Sequence, residues 1–544
     1  MKKKSVKIFD TTLRDGTQGE GISFSSEDKI RILKRLDQLG VEYVEGGWPG
    51  SNPKDMDFFR KAKDYPCRNT KVVAFGSTMR SGKPAQDDPN LQALLEAGTP
   101  AVCIFGKTWL LHVESALGIS ADENLKIIRD SVAFLHAHDK EIIYDAEHFF
   151  DGYKDNPAYA IQTLQAAAEA GAGVLVLCDT NGGTLTHEVS RIVGDVRRQI
   201  KDFPLGIHAH NDCEVAVANS VAAVLQGCDH VQGTVNGYGE RCGNTNLCSL
   251  IPNLQVKLDY QCIPDPQLIK LTALSLYVSE LANLAHSGKL AYVGKSAFAH
   301  KGGIHVSAVM KNPATYEHIS PEKVGNGRRV LVSDLSGRSN IRYKADELGM
   351  DLSSSGEKLP EVVEMLKHLE NEGYQYEAAE GSLNLLIQRM TKDWEDSFEL
   401  KGFRLLVEKN EAESIRSEAT IRLKVNGVTE HTAAEGNGPV QALDLALRKA
   451  LGKFFPDIKN MHLSDYKVRV LNEKDGTGAK VRVLIDSSAN GYHWGTVGVS
   501  ENIIEASWQA LMESFSYYLL HHQNNDNKNG KHHEKTDKDF RHYA

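Results

Sequence analysis

Residues 6–15 read Val-Lys-Ile-Phe-Asp-Thr-Thr-Leu-Arg-Asp, a short β-rich run that ends directly in polar side chains. Seven similar runs follow at intervals of roughly 30 residues, separated by stretches whose apolar residues recur at helical spacing. Strands that alternate with helices predict a parallel sheet, because a parallel neighbour is reached only through a crossover. The eight predicted strands are 6–10, 41–46, 71–75, 101–105, 141–145, 174–179, 205–208 and 230–235.

The segment after the first strand separates a closed barrel from an open doubly wound sheet. An open sheet usually carries a glycine-rich phosphate-binding turn at this place, whereas residues 11–15 contain no glycine. Eight strand–helix units in about 260 residues match a (β/α)8 barrel. We therefore predict an α/β fold whose TIM barrel covers residues 1–263.

Three further segments follow the predicted barrel. Residues 264–390 are mainly helical in pattern, which predicts a linker subdomain. The next segment twice combines an alternating strand with a later helix, which predicts an α+β regulatory domain with an internal repeat over 391–522. These pairs are 419–425 with 440–451, and 480–485 with 503–520. The polar composition of residues 523–544 predicts a disordered tail.

The composition of the 544-residue chain limits the classes of protein to which it can belong. Hydrophobic residues make up 41% and charged residues 25%, values typical of a soluble globular protein. The net charge of −9 argues against nucleic acid or an anionic membrane as a partner. No apolar run approaches the roughly 20 residues of a membrane span, and the N-terminus lacks a signal peptide's apolar stretch. The eight cysteines form no Cys-x-x-Cys pair, so we expect reduced thiols and a cytoplasmic protein.

Polar side chains follow several of the predicted strands. Active sites of parallel barrels lie at the carboxyl ends of the strands, so these side chains are expected to converge on one rim. They are Arg14 and Asp15 after the first strand, Glu147 after the fifth, Thr180 after the sixth, His208 and His210 at the seventh, and Glu240 and Asn244 after the eighth.

The most informative of these residues are the two histidines. His208 and His210 are two positions apart on a strand and point to the same side, so both imidazoles can face one ion. A single buried histidine is usually structural, but Asp15 and Asn244 from neighbouring strand ends complete a mixed nitrogen and oxygen ligand set. Such a set predicts a catalytic divalent ion (Mg, Mn, Co or Zn) with open positions, rather than a closed structural zinc site.

A metal of this kind predicts a reaction at a carbonyl group. An ion that chelates the keto oxygen and the carboxylate of a 2-oxo acid polarises the carbonyl. Arg14 can stabilise the alkoxide that forms, and Thr180 can hydrogen-bond the carboxylate. A carbon nucleophile then needs a base within reach, and the sequence does not identify that base.

Five segments carry a resemblance to the 2-isopropylmalate, homocitrate and citramalate synthase family. They are residues 9–18 (FDTTLRDGTQ), 208–212 (HAHND), 237–244 (GYGERCGN), 302–305 (GGIH) and 435–440 (EGNGPV). Together they span nearly the whole chain except the tail. The segment 45–53 (EGGWPGSNP) looks like the citramalate-type branch of that family.

The resemblance implies roles for individual residues. Asp15, His208, His210 and Asn244 are implied as metal ligands, and Arg14, Glu147 and Thr180 as substrate contacts. His305, Tyr316 and Glu240 are implied to lie near the acetyl-CoA chemistry, so that the implied catalytic residues are Arg14, Glu147, Glu240, His305 and Tyr316. For Glu240 the alternative is an ion pair with Arg241, and for His305 it is a packing role.

The implied activity is condensation of acetyl-CoA with pyruvate to (R)-citramalate, as the first step of a route to isoleucine. A homodimer with isoleucine as feedback ligand is also implied. Alternatives within the same chemistry are 2-oxoisovalerate (isopropylmalate synthase) and 2-oxoglutarate (homocitrate synthase). Outside it, the alternatives are an aldol-type lyase, a biotin-linked carboxyl transferase and a non-catalytic amino-acid sensor.

Overall fold

A computed structural model describes residues 3–333, 336–347, 358–391, 396–409, 415–471 and 478–529. Contacts within the chain divide it into two compact units. The first comprises Met1–Phe298 and Ile319–Arg329, and the second comprises Ala299–His318 and Val330–Ala544.

Eight parallel strands in the first unit close into a barrel, since each pairs with the next and the eighth pairs with the first. The strands are β1 (Lys7–Asp10), β2 (Tyr43–Gly47), β3 (Lys71–Ser77), β4 (Ala101–Lys107), β5 (Glu141–Glu147), β6 (Val174–Asp179), β7 (Leu205–Ala209) and β8 (His230–Gly233). The predicted TIM barrel and all eight predicted strand positions are confirmed.

Helices cover the outside of the barrel and end where the sequence provides caps. The first begins after Ser25, whose side chain accepts the backbone N–H of Asp28 while the Asp28 side chain accepts that of Ser25. It ends at Gly40, which has φ +90° in the left-handed region. The main helices of this unit are Ser26–Leu39, Pro53–Ala62, Pro89–Glu96, Ala121–His136, Phe149–Asp155, Pro157–Glu169, Thr186–Gln199, Ala216–Leu225, Leu247–Pro252 and Leu271–Leu281.

The segment predicted as a helical linker is mainly helical, but the contacts divide it elsewhere than at the predicted boundary. Leu271, Leu274 and Val278 are buried in the apolar core of the barrel unit, because the helix that carries them packs there. Residues 299–318 and 330–390 belong to the second unit. Their elements are β9 (Ala299–His300), the second residue of β10 (Arg329–Val330), and the helices Gly303–Lys311, Arg338–Glu347, Leu359–Asn371 and Glu380–Thr391.

The rest of the second unit contains the predicted internal repeat. Each copy is a three-stranded antiparallel sheet followed by a helix whose apolar side packs on it. The first copy is β11 (Phe398–Lys409), β12 (Ile415–Val425), β13 (Val428–Gly436) and helix Pro439–Leu451. The second is β14 (His462–Val470), β15 (Val481–Ala489), β16 (Tyr492–Ser500) and helix Ile503–Asn529.

Two other expectations concern the tail and the cysteines. The last helix, Ile503–Asn529, includes residues 523–529, which the sequence analysis assigns to the tail. Residues 530–544 lie outside the described residues. All eight cysteines are free thiols, and five of them are buried. Among the described residues, no helix is both long enough and apolar enough to cross a membrane.

Candidate metal centre and active site

The turn after β1 places Arg14 and Asp15 at the mouth of the barrel. The Asp10 carboxylate accepts the backbone N–H of Thr12 at 3.0 Å and its hydroxyl at 2.9 Å, which reverses the chain directly after the strand. The Thr12 hydroxyl oxygen in turn accepts the backbone N–H of Val235 at 2.8 Å, which ties this turn to the end of β8. The two strand ends are thereby joined next to the predicted ligands.

Asp15, His208 and His210 meet as predicted. The Nε2 atoms of His208 and His210 lie 3.3 and 3.9 Å from Oδ2 of Asp15, and the three residues form one cluster able to hold a metal ion. All three are buried, with 2–6% of their surface exposed. His208 stands on β7, and His210 follows one residue after its end. Two positions of separation on an extended chain bring both rings to one side.

Asn244 lies beside this cluster through the backbone, since it forms an isolated antiparallel bridge with His210. Its side-chain Nδ2 donates to the carbonyl of Tyr238 at 3.2 Å, while its Oδ1 is buried without a hydrogen-bond partner. Oδ1 of Asp15 is also buried and without a partner. Buried oxygens normally find a donor, and an unpartnered Asp15 oxygen on a carboxylate beside two imidazoles is what a divalent cation would satisfy. The residues present therefore fit a metal.

The electrostatics of the cluster favour the metal-binding protonation states of Asp15 and His210. Burial opposes the ionisation of Asp15, but the Arg14 guanidinium and the neighbouring His208 hold its pKa well below the usual range. Burial, together with the neighbouring His208, lowers the pKa of His210 to about 4. Asp15 is therefore a carboxylate and His210 a neutral imidazole at physiological pH, the forms in which both bind metals.

Arg14 is held by Glu45, a residue that the sequence analysis did not select. The Arg14 Nε donates to Glu45 Oε2 at 2.7 Å, and Nη1 lies 3.2 Å from Asp15 Oδ2. The guanidinium carbon lies 3.8 Å from the centre of the Phe75 ring. The hydroxyl of Thr11 also donates to Glu45, which fixes the carboxylate. The sequence gives two signals for Glu45: its place near the carboxyl end of a predicted strand, and its place at the start of segment 45–53.

Three aromatic rings form a wall next to Arg14. Phe75 and Phe105 are stacked with ring centres 5.5 Å apart, and the Trp48 indole contacts both edge-on at 5.5 and 5.7 Å. The indole N–H donates to Oδ1 of Asn90 at 2.8 Å, which fixes the ring orientation. The wall leaves an apolar surface beside the charged Arg14 side chain.

Glu147 and Thr180 lie at the carboxyl ends of β5 and β6, as predicted. A carboxylate oxygen of Glu147 pairs with Nζ of Lys107 at 2.5 Å, and both side chains are about one-fifth exposed, at 22%. The Thr180 hydroxyl oxygen accepts the backbone N–H of His148 at 2.8 Å.

Glu240 is an exposed residue, with 59% of its side chain accessible. Its neighbour Arg241 donates from Nε and Nη2 to the two oxygens of Asp212 at 2.8 and 3.0 Å, whereas the distance to Glu240 is 3.5 Å. Asp212 is thus the main partner of Arg241. Glu240 makes only the longer of the two ion-pair contacts of Arg241, so the alternative interpretation of Glu240 as its ion-pair partner describes a secondary contact.

His305 and Tyr316 belong to the second unit. His305 lies in the first turn of helix Gly303–Lys311, and its ring stacks on that of Tyr316 with centres 4.2 Å apart and planes inclined by 26°. Both residues are exposed. The structure thus brings these two residues together within the second unit.

Similarity to known proteins extends over nearly the whole chain. Residues 5–278 match the HMGL-like family, 292–374 the homocitrate synthase post-HMGL domain-like family, and 377–519 the LeuA allosteric (dimerisation) domain. The chain is 55% identical to the (R)-citramalate synthase of Aquifex aeolicus (strain VF5), over 95% of this chain and 98% of that protein. It is 56% identical to that of Geobacter sulfurreducens (strain ATCC 51573 / DSM 12127 / PCA), over 94% and 97%.

A more distant relative is the 2-isopropylmalate synthase of Shouchella clausii (strain KSM-K16), which is 32% identical over 94% of this chain and 96% of its own length. Identity therefore falls by more than twenty percentage points between relatives that carry the two names. Since the matches cover almost all of both chains, this chain belongs to the isopropylmalate, homocitrate and citramalate synthase family and is of the citramalate synthase type.

Proposed function

We propose that the protein is an acyltransferase that condenses acetyl-CoA with pyruvate in a Claisen-type reaction and hydrolyses the thioester to (R)-citramalate. The observation that carries the proposal is the identity of 44–56%, over nearly the whole chain, to proteins named (R)-citramalate synthase. The site at the barrel mouth supports the proposal, because it combines a metal-binding set of side chains with the Arg14 guanidinium and an apolar wall.

Asp15, His208, His210 and Asn244 would hold a divalent ion (Mg, Mn, Co or Zn), which would supply Lewis-acid polarisation of the pyruvate keto group. Arg14 stabilises the negative charge that develops on the keto oxygen, and its own position is held by Glu45. Thr180 and Glu147 contact the bound 2-oxo acid. Condensation converts the keto group to a tertiary alcohol, and thioester hydrolysis releases CoA.

The aromatic wall supports pyruvate as the 2-oxo acid. Phe75 contacts Arg14, and Trp48 and Phe105 pack against Phe75, so these rings are within the surroundings of an acid bound at Arg14. A methyl group fits against a closed wall, whereas the branched side chain of 2-oxoisovalerate requires the rings to move. Steric exclusion of the larger acid gives stronger discrimination than the loss of one methylene contact.

His305, Tyr316 and Glu240 are assigned to the acetyl-CoA half of the reaction. A base is required to remove a proton from the acetyl methyl group, and a stacked imidazole and phenol are groups of the right type for proton transfer. The assignment rests on the family resemblance of the segments that carry these residues.

The test is the release of CoA thiol from acetyl-CoA over a panel of pyruvate, 2-oxobutyrate, 2-oxoisovalerate and 2-oxoglutarate, with and without chelator. We expect the highest kcat/KM with pyruvate, (R)-citramalate as the product, and loss of turnover after metal removal. A higher kcat/KM with 2-oxoisovalerate makes the protein an isopropylmalate synthase. Cleavage of citramalyl-CoA without net condensation makes it a lyase.

A matched pair of variants tests the metal ligands. His210→Ala is expected to abolish turnover and tight metal binding while the melting curve stays cooperative, because the side chain lies at the barrel mouth and not in the apolar core. The control is His187→Ala, an exposed histidine on a barrel helix, which is expected to behave as wild type. Full activity of the His210→Ala variant contradicts the assignment.

The second unit is assigned to regulation and assembly. It contains the match to the LeuA allosteric (dimerisation) domain, and its outer strands expose apolar side chains such as Val407 (52%) and Val470 (49%). Pairing of two copies in a homodimer buries such faces. Isoleucine is the assigned feedback ligand in a cytoplasmic enzyme. Inhibition curves with isoleucine, leucine and lysine, together with the mass in solution, test this, and inhibition selective for leucine or lysine contradicts it.

A further inference from the structure

A second polar chain lies behind the metal cluster, inside the barrel. Nδ1 of His208 lies 2.7 Å from Oε1 of Gln232, and Nε2 of Gln232 donates to Oδ1 of Asp145 at 2.8 Å. Gln232 is fully buried and Asp145 is 3% exposed. His208 and Gln232 are register partners on the neighbouring strands β7 and β8.

The direction of these hydrogen bonds decides the tautomer of His208. An ionised carboxylate only accepts hydrogen bonds, so Asp145 draws the NH2 group of Gln232 towards itself. The amide oxygen must then face His208, and it can accept only if the imidazole carries its proton on Nδ1. The lone pair is left on Nε2, the atom that lies 3.3 Å from Asp15. Burial raises the pKa of Asp145 to about 6, so the carboxylate is ionised at neutral pH.

We propose that Gln232 and Asp145 are positioning residues of the metal site, which together hold His208 in the tautomer and orientation that present Nε2 to a divalent cation. The proposal rests on the proposed function only in that it concerns the same metal site. A hydrogen bond to the outer nitrogen of a ligating histidine typically changes metal affinity by about 10–100-fold.

A histidine buried inside this barrel does not by itself require a hydrogen-bond partner for its ring. His230 lies on the same strand as Gln232, two positions earlier and therefore on the same side, and is also fully buried. Both of its ring nitrogens lack a hydrogen-bond partner, and its ring packs against Phe9 and Tyr43 instead. A histidine inside this barrel is thus accommodated by packing alone, whereas the one at the metal cluster has an oriented amide behind it.

The experiment uses full-length protein stripped with chelator and titrated with Co²⁺, whose binding is read by calorimetry and by its visible absorption. Gln232→Met keeps the length of the side chain but removes the acceptor, and we expect the Kd for Co²⁺ to rise by about 10–100-fold. Gln232→Glu, protonated in this buried place, can accept from His208 and donate to Asp145. It is expected to stay within a few-fold of wild type.

His230→Phe is the control for disturbance of the barrel core, and its Kd is expected to match wild type. A folded Gln232→Met variant with wild-type Co²⁺ affinity overturns the proposal, as does an equal loss in Gln232→Glu. If Gln232→Met does not fold, Asp145→Asn tests the same link, since its amide no longer dictates the Gln232 orientation; an unchanged Kd there overturns the proposal. Absence of citramalate formation by wild type would refute the proposed function but leave these Kd comparisons valid.

Discussion

Replacing Asp55 with asparagine removes one charge from the buried ion pair between Lys29 and Asp55. Nζ of Lys29 lies 2.5 Å from Asp55 Oδ1 and 2.9 Å from the carbonyl of Gly46, and Lys29 is 1% exposed. Asp55 Oδ2 accepts the backbone N–H of Trp48 at 2.9 Å. Asparagine keeps the shape and can keep this last bond, so the variant isolates the effect of the charge.

Breaking a buried pair by removing one partner costs about 3–5 kcal/mol of unfolding free energy. The loss of unfolding free energy has an upper limit, because Lys29 can release its proton instead of remaining charged without a partner. From an ordinary pKa near 10.5 this costs about 5 kcal/mol at pH 7 but only about 2 kcal/mol at pH 9. We therefore expect a large loss at pH 7 that is roughly halved at pH 9.

The direction in which stability changes with pH follows from proton binding by Lys29 in the folded and unfolded states. Burial lowers the pKa of Lys29, against the attraction of Asp55, so the unfolded chain binds the proton more readily than the folded one. Stability then rises with pH between the folded pKa and the unfolded value. Removal of Asp55 lowers the folded pKa further and extends this window towards neutral pH.

The assay is calorimetric melting of the full-length protein at pH 7 and pH 9, comparing the barrel transition of wild type, Asp55→Asn and the double variant Lys29→Met/Asp55→Asn. The double variant has no charge at either of these two buried positions, so we expect it to recover part of the lost melting temperature at pH 7 and to lose the extra pH dependence. An equal loss for Asp55→Asn at both pH values, with no recovery in the double variant, would refute the reasoning.

Three other predictions concern the wall, a buried histidine and a glycine. Trp48→Leu should raise kcat/KM for 2-oxoisovalerate relative to pyruvate by about tenfold, because the shorter side chain opens the wall; an unchanged ratio in the CoA-release assay contradicts this. His230 has a pKa lowered to about 3 by burial, so protonation of the unfolded chain destabilises the protein as pH falls below about 6.5. His230→Phe should therefore gain about 2 kcal/mol over wild type between pH 8 and pH 5, and parallel melting curves at the two pH values argue against it. Gly47 has φ +148°, and a Cβ there would lie 2.4 Å from Cγ of Asp55, so Gly47→Ala should lower the melting temperature strongly. Gly183→Ala meets nothing within 4 Å and serves as the control; equal melting temperatures of the two variants would contradict the strain argument.

The sequence by itself determined the architecture and the ligand cluster. The sequence predicts β6 over 174–179 and the structure has it as Val174–Asp179, because a short apolar run that follows Gly173 and ends in Asp179 encodes a buried strand locally. The histidines and Asp15 were predicted to meet because all parallel strands of a barrel present their carboxyl ends at one rim. This inference needs only the order of elements and not their exact register.

Only the tertiary structure decided which side chains of the barrel become hydrogen-bond and ion-pair partners. Gln232 faces His208 because the register of β7 against β8 pairs them, and Arg241 selects Asp212 over its sequence neighbour Glu240. Glu45 holds Arg14 from the adjacent strand β2. Strand patterns depend on neighbouring residues, whereas register and barrel closure depend on packing summed over the whole unit. Partner choice between distant residues therefore becomes defined only when the barrel has closed.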